Sequence, residues 1–265
     1  MEAQPIIKSD IVIGVAAHKK YQMPTSSSYY PIFVGSEGKV DLENYVRDDQ
    51  GDNISKLNPY FCELTATYFL WKNVQADYKG LVHYRRQFSN KNHFGTFQTG
   101  NFDIVLDDQK LKQLLQETDI IVPEKRNYYI ETNYSHYAHA HNSKDMDTTR
   151  DIISELYPDY VASFDKVMKS TSAHMFNMYI MKSQLFDDYA KWLFDILFEL
   201  QKRADISQYS VQEQRLFGYV SELLLDVWLD QNQLSYKEVP VMFMEKQDWI
   251  KKGTGFIKRK FAGNK

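Results

Sequence analysis

A single cysteine, Cys62, is all the thiol chemistry that the 265 residues offer, which excludes an internal disulfide framework and any zinc site built on several thiolates. No run approaches 18 uninterrupted apolar residues, and residues 1–10 lack the apolar stretch of a secretory signal. The expectation is a cytoplasmic protein, soluble or held peripherally on the inner face of the plasma membrane. A basic excess is also missing. Lys plus Arg number 32 against 35 Asp plus Glu, a formal net charge of -3, so a nucleic-acid partner is not expected. The sequence contains no Walker-type glycine loop, dinucleotide glycine fingerprint, nucleophile elbow around serine or zinc-protease helix motif. Their absence weighs against the common nucleotide hydrolases and dehydrogenases.

What is present is apolar and aromatic. Hydrophobic residues make up 43% of the chain, enough for a substantial core, and 19 Tyr, 16 Phe and 4 Trp bring the aromatic share to 15%. Rings with a polar handle line sites for sugars and bases well, although most aromatic side chains bury themselves.

Residues 11–17 form a β-branched apolar run that stops at His18, Lys19 and Lys20, the pattern of a buried strand delivering its loop to the ligand edge of an α/β sheet. Residues 21–53 are punctuated by Pro24, Pro31, Gly35, Gly38 and Gly51, and read as loops with a short strand around 32–34. Leu57, Phe61, Leu64, Tyr68 and Trp71 recur at helical spacing, which predicts one helix from about Asn53 or Ser55 to Asn73. A second strand is expected over 81–88. Apolar segments at 102–106 and 119–122 flank a helical stretch at 108–117, and the sheet is expected to end there. Helices are expected at 148–156, 158–169, 183–203 and 210–229, with a short apolar segment at 178–181 that could supply a last strand.

The segment Gly80-Leu81-Val82-His83-Tyr84-Arg85-Arg86 sets an imidazole and two guanidiniums at a strand end. Arginine forks grip phosphate oxygens bidentately, so the pair suits a diphosphate; it suits carboxylates such as Glu63 equally well. Asp107, Asp108, Asp145 and Asp147 are candidate metal carboxylates, the last two in an Asp-x-Asp spacing. His136, His139 and His141 would not all converge from a regular helix, which argues against a structural zinc. After Asp248, six basic residues alternate with Trp249, Ile250, Phe256, Ile257 and Phe261; this composition fits either an interfacial membrane contact or a solvated terminus.

Several blocks in order carry a resemblance. They are His18-Lys19; Asn58 with Cys62-Glu63-Leu64-Thr65 and Trp71-Lys72-Asn73; Gly80-Leu81 with His83-Tyr84-Arg85-Arg86; Tyr137, His141 and Asp145; Trp192-Leu193-Phe194; and Arg215, Gly218-Tyr219 and Glu222. Together they span about residues 11–229. On these blocks the chain resembles a bacterial glycosyltransferase family of capsule and exopolysaccharide synthesis, long catalogued as a domain of unknown function, whose members include galactofuranosyltransferases. His136 is a departure, standing where the family pattern leads one to expect Gln.

The resemblance implies an α/β, GT-A-like nucleotide-sugar-binding fold with a mainly helical C-terminal part. As one domain over 1–265 it would divide into a nucleotide-sugar-binding part to about 133, a helical acceptor-side part over about 134–248, and the basic aromatic tail. It implies an inverting transferase, dependent on a UDP-sugar (galactofuranose being the sugar indicated), that acts on a lipid-linked oligosaccharide, with the tail on the membrane surface. His83, Arg85 and Arg86 would bind the donor diphosphate. Ala17, His18, Lys19, Asn58 and Thr65 would lie near the nucleotide, and Tyr137, His141, Arg215 and Tyr219 on the acceptor side. An inverting transfer needs a base for the acceptor hydroxyl, and Asp145 and Glu222 are the candidates. Where GT-A enzymes commonly end a strand in Asp-x-Asp holding a divalent metal, this chain has His83-Tyr84-Arg85-Arg86. Fixed cations are therefore expected to replace manganese or magnesium, with no cofactor. Two other classes stay open: a carbohydrate- or nucleotide-binding protein without turnover, and a phosphoryl or nucleotidyl transferase dependent on magnesium.

Overall fold

A computed structural model describes residues 5–90 and 100–245. The strand Ile11–Ala17 is buried along its whole length, as a strand covered on both faces must be. It pairs in parallel with Tyr29–Phe33 on one side and with Tyr78–His83 on the other. Val46–Arg47 extends the sheet beyond Tyr29–Phe33. Beyond Tyr78–His83 come Tyr179–Lys182, antiparallel to both its neighbours, then Ile120–Pro123 and Lys237–Val239. The chain thus leaves its first strand to one side and returns to the other through the helix Leu64–Asn73. That reversal opens a crevice outside the carboxyl ends of the strands, the usual ligand position in open α/β sheets.

Alternate residues of the strands feed two apolar layers. Val12, Ala16 and Leu81 pack under the helices Leu64–Asn73, Ser183–Arg203 and Leu216–Gln231, while Ile13, Val15 and Val82 face Leu111, Leu114 and Leu115 of the helix Asp108–Leu115. Leu81 is wholly buried, and truncating it to alanine costs about 2–5 kcal/mol through lost transfer energy and the cavity left behind. Gly80 has a specific reason: a Cβ there would stand 2.7 Å from the carbonyl oxygen of Tyr179 in the neighbouring strand. The helices Asn133–Ala140, Ser143–Leu156 and Val161–Lys169 complete the mainly helical C-terminal part. No helix among the described residues is long and apolar enough to cross a membrane.

Four expectations are corrected. The helix expected from about Asn53 or Ser55 to Asn73 is broken at Cys62, which takes the left-handed φ of 52° between Asn58–Phe61 and Leu64–Asn73. The strand expected over 81–88 is two strands, because His83 pairs with Arg86 and the chain doubles back through Tyr84 and Arg85. The sheet does not end near residue 122: the segment offered as a last strand, observed as Tyr179–Lys182, runs in its interior, and Lys237–Val239 forms one edge. The short segment at 102–106 is a 3-10 turn, Phe102–Ile104, with a lone bridge from Val105 to Ser89. The basic aromatic tail over 249–265 lies outside the described residues.

Candidate functional site

A cleft of about 600 Å³ opens at the carboxyl edge of the sheet. Ala16, Ala17 and His18 from the first strand, Asn58, Cys62 and Glu63 from the broken helix, and His83 to Arg86 from the hairpin line one side; Arg215, Gly218, Tyr219 and Glu222 line the other.

The hairpin is what aims the arginines. Reversal at Tyr84 and Arg85 carries Arg86 back along the sheet, where its guanidinium carbon lies 4.2 Å from the centroid of the Phe176 ring. Its Nε is buried without a hydrogen-bond partner. Burial lowers the pKa of Arg86 against the opposing charges of Glu222 and Glu63, neither of which comes within ion-pair distance. Arg85 is half exposed at the rim, with Nε 3.3 Å from Glu245. His83 donates from Nε2 to the Phe176 carbonyl at 2.7 Å, and burial lowers its pKa, so it stands neutral.

Two carboxylates share the floor. Glu63 accepts from Asn177 Nδ2 at 2.7 Å, and the same amide nitrogen donates to the Gly218 carbonyl at 3.0 Å, tying the broken helix to Leu216–Gln231. Burial pushes Glu222 up to about 8; the Glu63 charge adds to the rise, while Arg86 and Arg126 oppose it. Arg215 donates from Nε to Cys62 Sγ at 3.0 Å, and burial pushes that thiol up to about 11, so it carries no thiolate at neutral pH.

The remaining sequence candidates lie around the cleft rather than in its lining. Lys19 lies outside the cleft lining, its Nζ 5.2 Å from the Tyr21 ring, which in turn stacks on Tyr84 at 3.8 Å beside His18. Thr65 is wholly buried and bonds Asp48 at 2.6 Å. Tyr137 and His141 sit behind the wall that Tyr219 lines, His141 stacked on Tyr219 at 4.2 Å and Tyr137 5.0 Å behind it. Asp145 is buried outside the cleft lining, where its carboxylate accepts from the Tyr209 hydroxyl at 2.8 Å.

The candidate metal carboxylates are spent locally. Asp107 caps the helix Asp108–Leu115 through the Lys110 N–H; Asp108 accepts from Ser27 and Ser28; Asp147 accepts from Tyr134. His136 and His139 both bond Glu131 at 2.8 Å. Among the described residues no group of three or more His, Cys, Asp or Glu side chains is arranged to hold a metal ion. In the cleft, Glu63 and Glu222 stand among three guanidiniums, a donor set matched to an anion rather than a cation.

Asp48, Phe176 and Asn177 shape the cleft without any motif that marks them in the sequence. Asp48 is fully buried and accepts from the Gly35 and Ser36 backbone N–H groups at 2.8 and 3.0 Å and from the hydroxyls of Ser36, Ser55 and Thr65. It thereby fixes the loop after Tyr29–Phe33 to the helix that lines the cleft. Phe176 and Asn177 adopt consecutive positive φ values of 81° and 50°, an arrangement costly for side-chain-bearing residues and concentrated at functional sites. Two adjacent residues without glycine carry no such signal in sequence.

The family described as a domain of unknown function, DUF4422, matches residues 12–233, and the chain belongs to it. No curated protein matches. The fold is similar to the apo structure of WbbM, described as a bifunctional glycosyltransferase, at 29% identity and a TM-score of 0.82. The match covers 90% of this chain and 46% of that one, so this chain spans about half the length of the protein it resembles.

Proposed function

We propose that this protein is a glycosyltransferase, inverting, that moves a sugar from a nucleoside diphosphate donor onto a saccharide acceptor. The observation that carries the reading is Arg86: a guanidinium half-buried at the switch point, stacked on Phe176, with no carboxylate bound to it. A cation desolvated at such cost, without a partner, is matched to an anion that arrives from outside. With Arg85 at the rim and Arg215 opposite, it would neutralise charge as it builds on the departing diphosphate, without a divalent metal. His18 and the stacked Tyr21 and Tyr84 stand at the mouth, where a base ring fits.

In the transfer, the acceptor hydroxyl oxygen attacks the anomeric carbon as the bond to the diphosphate oxygen breaks. The hydroxyl proton passes to a carboxylate, and the nucleoside diphosphate leaves with the bonding pair. Glu222 is the proposed base rather than Asp145, because it faces the cleft and its raised pKa suits proton abstraction near neutral pH. Asp145, tied to Tyr209 behind Tyr137 and His141, is proposed to brace that wall.

Within this reading the donor is a UDP-sugar, with galactofuranose the sugar suggested by the family resemblance, and the acceptor is a lipid-linked oligosaccharide reached with the help of the basic tail. Truncation after Asp248 is expected to release the protein from anionic vesicles; unchanged association removes that role. The competing reading is a carbohydrate- or nucleotide-binding protein without turnover. Nucleotide release from a panel of UDP-sugars, with and without acceptor, separates the two: release dependent on Arg86 supports transfer, and binding without release supports the competitor.

A further inference from the structure

We propose that a second cavity, apart from the cleft, binds uncharged saccharide. Its volume is about 600 Å³, equal to that of the cleft, and its lining includes Lys125, Lys166, Asp226, Asp230, Gln231 and Tyr236. The charges are already spent. Lys166 is paired with Asp230, and Lys125 lies 3.7 Å from Asp226. Asp226 is further committed to His174, accepting from its backbone N–H at 2.9 Å and binding Nδ1 at 2.6 Å, while His174 Nε2 reaches Glu238 at 3.0 Å. This Asp226–His174–Glu238 chain, buried at its first two members and exposed at Glu238, braces the cavity wall and, with both lysines facing carboxylates, leaves the lining close to neutral.

What remains is neutral hydrogen-bonding capacity. Gln231 accepts from Ser163 through Oε1, which leaves its amide N–H groups to donate. Ser172 adds its hydroxyl, and the Tyr236 ring stands edge-on to His174 at 4.9 Å, an aromatic wall beside the Lys125 ammonium. Polar groups of neutralised charge around one aromatic face suit a hydroxyl-rich ring better than an anion or an apolar ligand.

The position adds meaning. Glu222 in the cleft and Asp226 in the second cavity lie four residues apart on Leu216–Gln231, so the second cavity begins one helical turn, about 6 Å, beyond the proposed base. Saccharide held there would be the part of the acceptor already assembled, leading away from the point of transfer. That placement rests on the glycosyl-transfer reading; the binding of sugar does not.

The test uses the full chain, fluorescently labelled, on an array of uncharged di- to tetrasaccharides, followed by titration of the best-held glycan. The Ser172→Ala/Gln231→Ala double variant should weaken that glycan about tenfold, the loss of two or more hydrogen bonds, with UDP affinity unchanged. Tyr236→Ala should weaken it in the same direction. The proposal is overturned if no uncharged glycan is held, if the double variant holds it as tightly, or if only Arg86→Ala releases it. Loss of UDP binding by the wild-type protein would instead count against the transferase reading alone.

Discussion

Arg86 and Phe176 form the relationship on which the site turns: the guanidinium carbon lies 4.2 Å from the ring centroid, and the ring belongs to a residue held at a φ of 81°. Phe176 also accepts from His83 through its carbonyl, so one strained residue positions both the buried guanidinium and the neutral imidazole of the hairpin. Replacing Arg86 with alanine should lower kcat/KM for sugar transfer by about 10²–10³, the usual loss when a fixed charge-stabilising donor is removed. Arg86→Lys should restore little, because an ammonium neither stacks on the ring nor forks across two phosphate oxygens. Near-wild-type steady-state rates in either variant would contradict this role.

With Glu222 as the proposed base, transfer should depend on pH in one direction. With the group near 8 and active only as the carboxylate, kcat/KM should rise with pH to about 8 and then level. Glu222→Gln should abolish that limb together with the activity.

The same carboxyl bears on stability. Its folded value of about 8 exceeds the ordinary 4.5, so between those values the folded protein holds a proton that the unfolded chain has released. Stability therefore falls as pH climbs through that window. Glu222→Gln should melt higher than the wild type at about pH 9, and the difference should vanish near pH 4, as thermal melts across the range will read.

With Glu222 as the proposed base, Glu63 is proposed to tune it. Glu63→Gln keeps an acceptor for Asn177 but removes the negative charge that helps to raise Glu222. The rising limb of the pH–rate profile should move to lower pH. An unmoved limb would mean that burial alone sets the value.

Asp48 holds the architecture beneath the cleft. Asp48→Ala strands two backbone N–H groups and three hydroxyls in a fully buried position, at a cost of about 3–5 kcal/mol, measurable as a lowered denaturation midpoint.

The legible parts of the fold were those where one local rule decides. Residues 11–17 form an uninterrupted β-branched run and appear as that strand; 183–203 carry one apolar stripe and appear as that helix. The break at Cys62 was hidden because the apolar spacing continues across it, while the Asn58 amide, bonded to the Cys62 carbonyl at 2.7 Å, stabilises the turn. The hairpin at Tyr84 and Arg85 lacks a glycine or an asparagine to announce it. Tyr179–Lys182 reads as a short apolar segment, and only long-range pairing places it mid-sheet. In the site, the arginine cluster and Glu222 were visible as chemical types, but Asp48, Phe176 and Asn177 act through backbone geometry and buried bonds that no spacing displays.

Calorimetric titration of UDP into the wild-type protein and into Arg86→Ala, both in excess chelator, tests the guanidinium-held diphosphate most directly. Binding that persists without divalent metal and weakens by an order of magnitude or more in the variant is the expected result. Binding that appears only when manganese is restored, and is indifferent to the loss of Arg86, would contradict it.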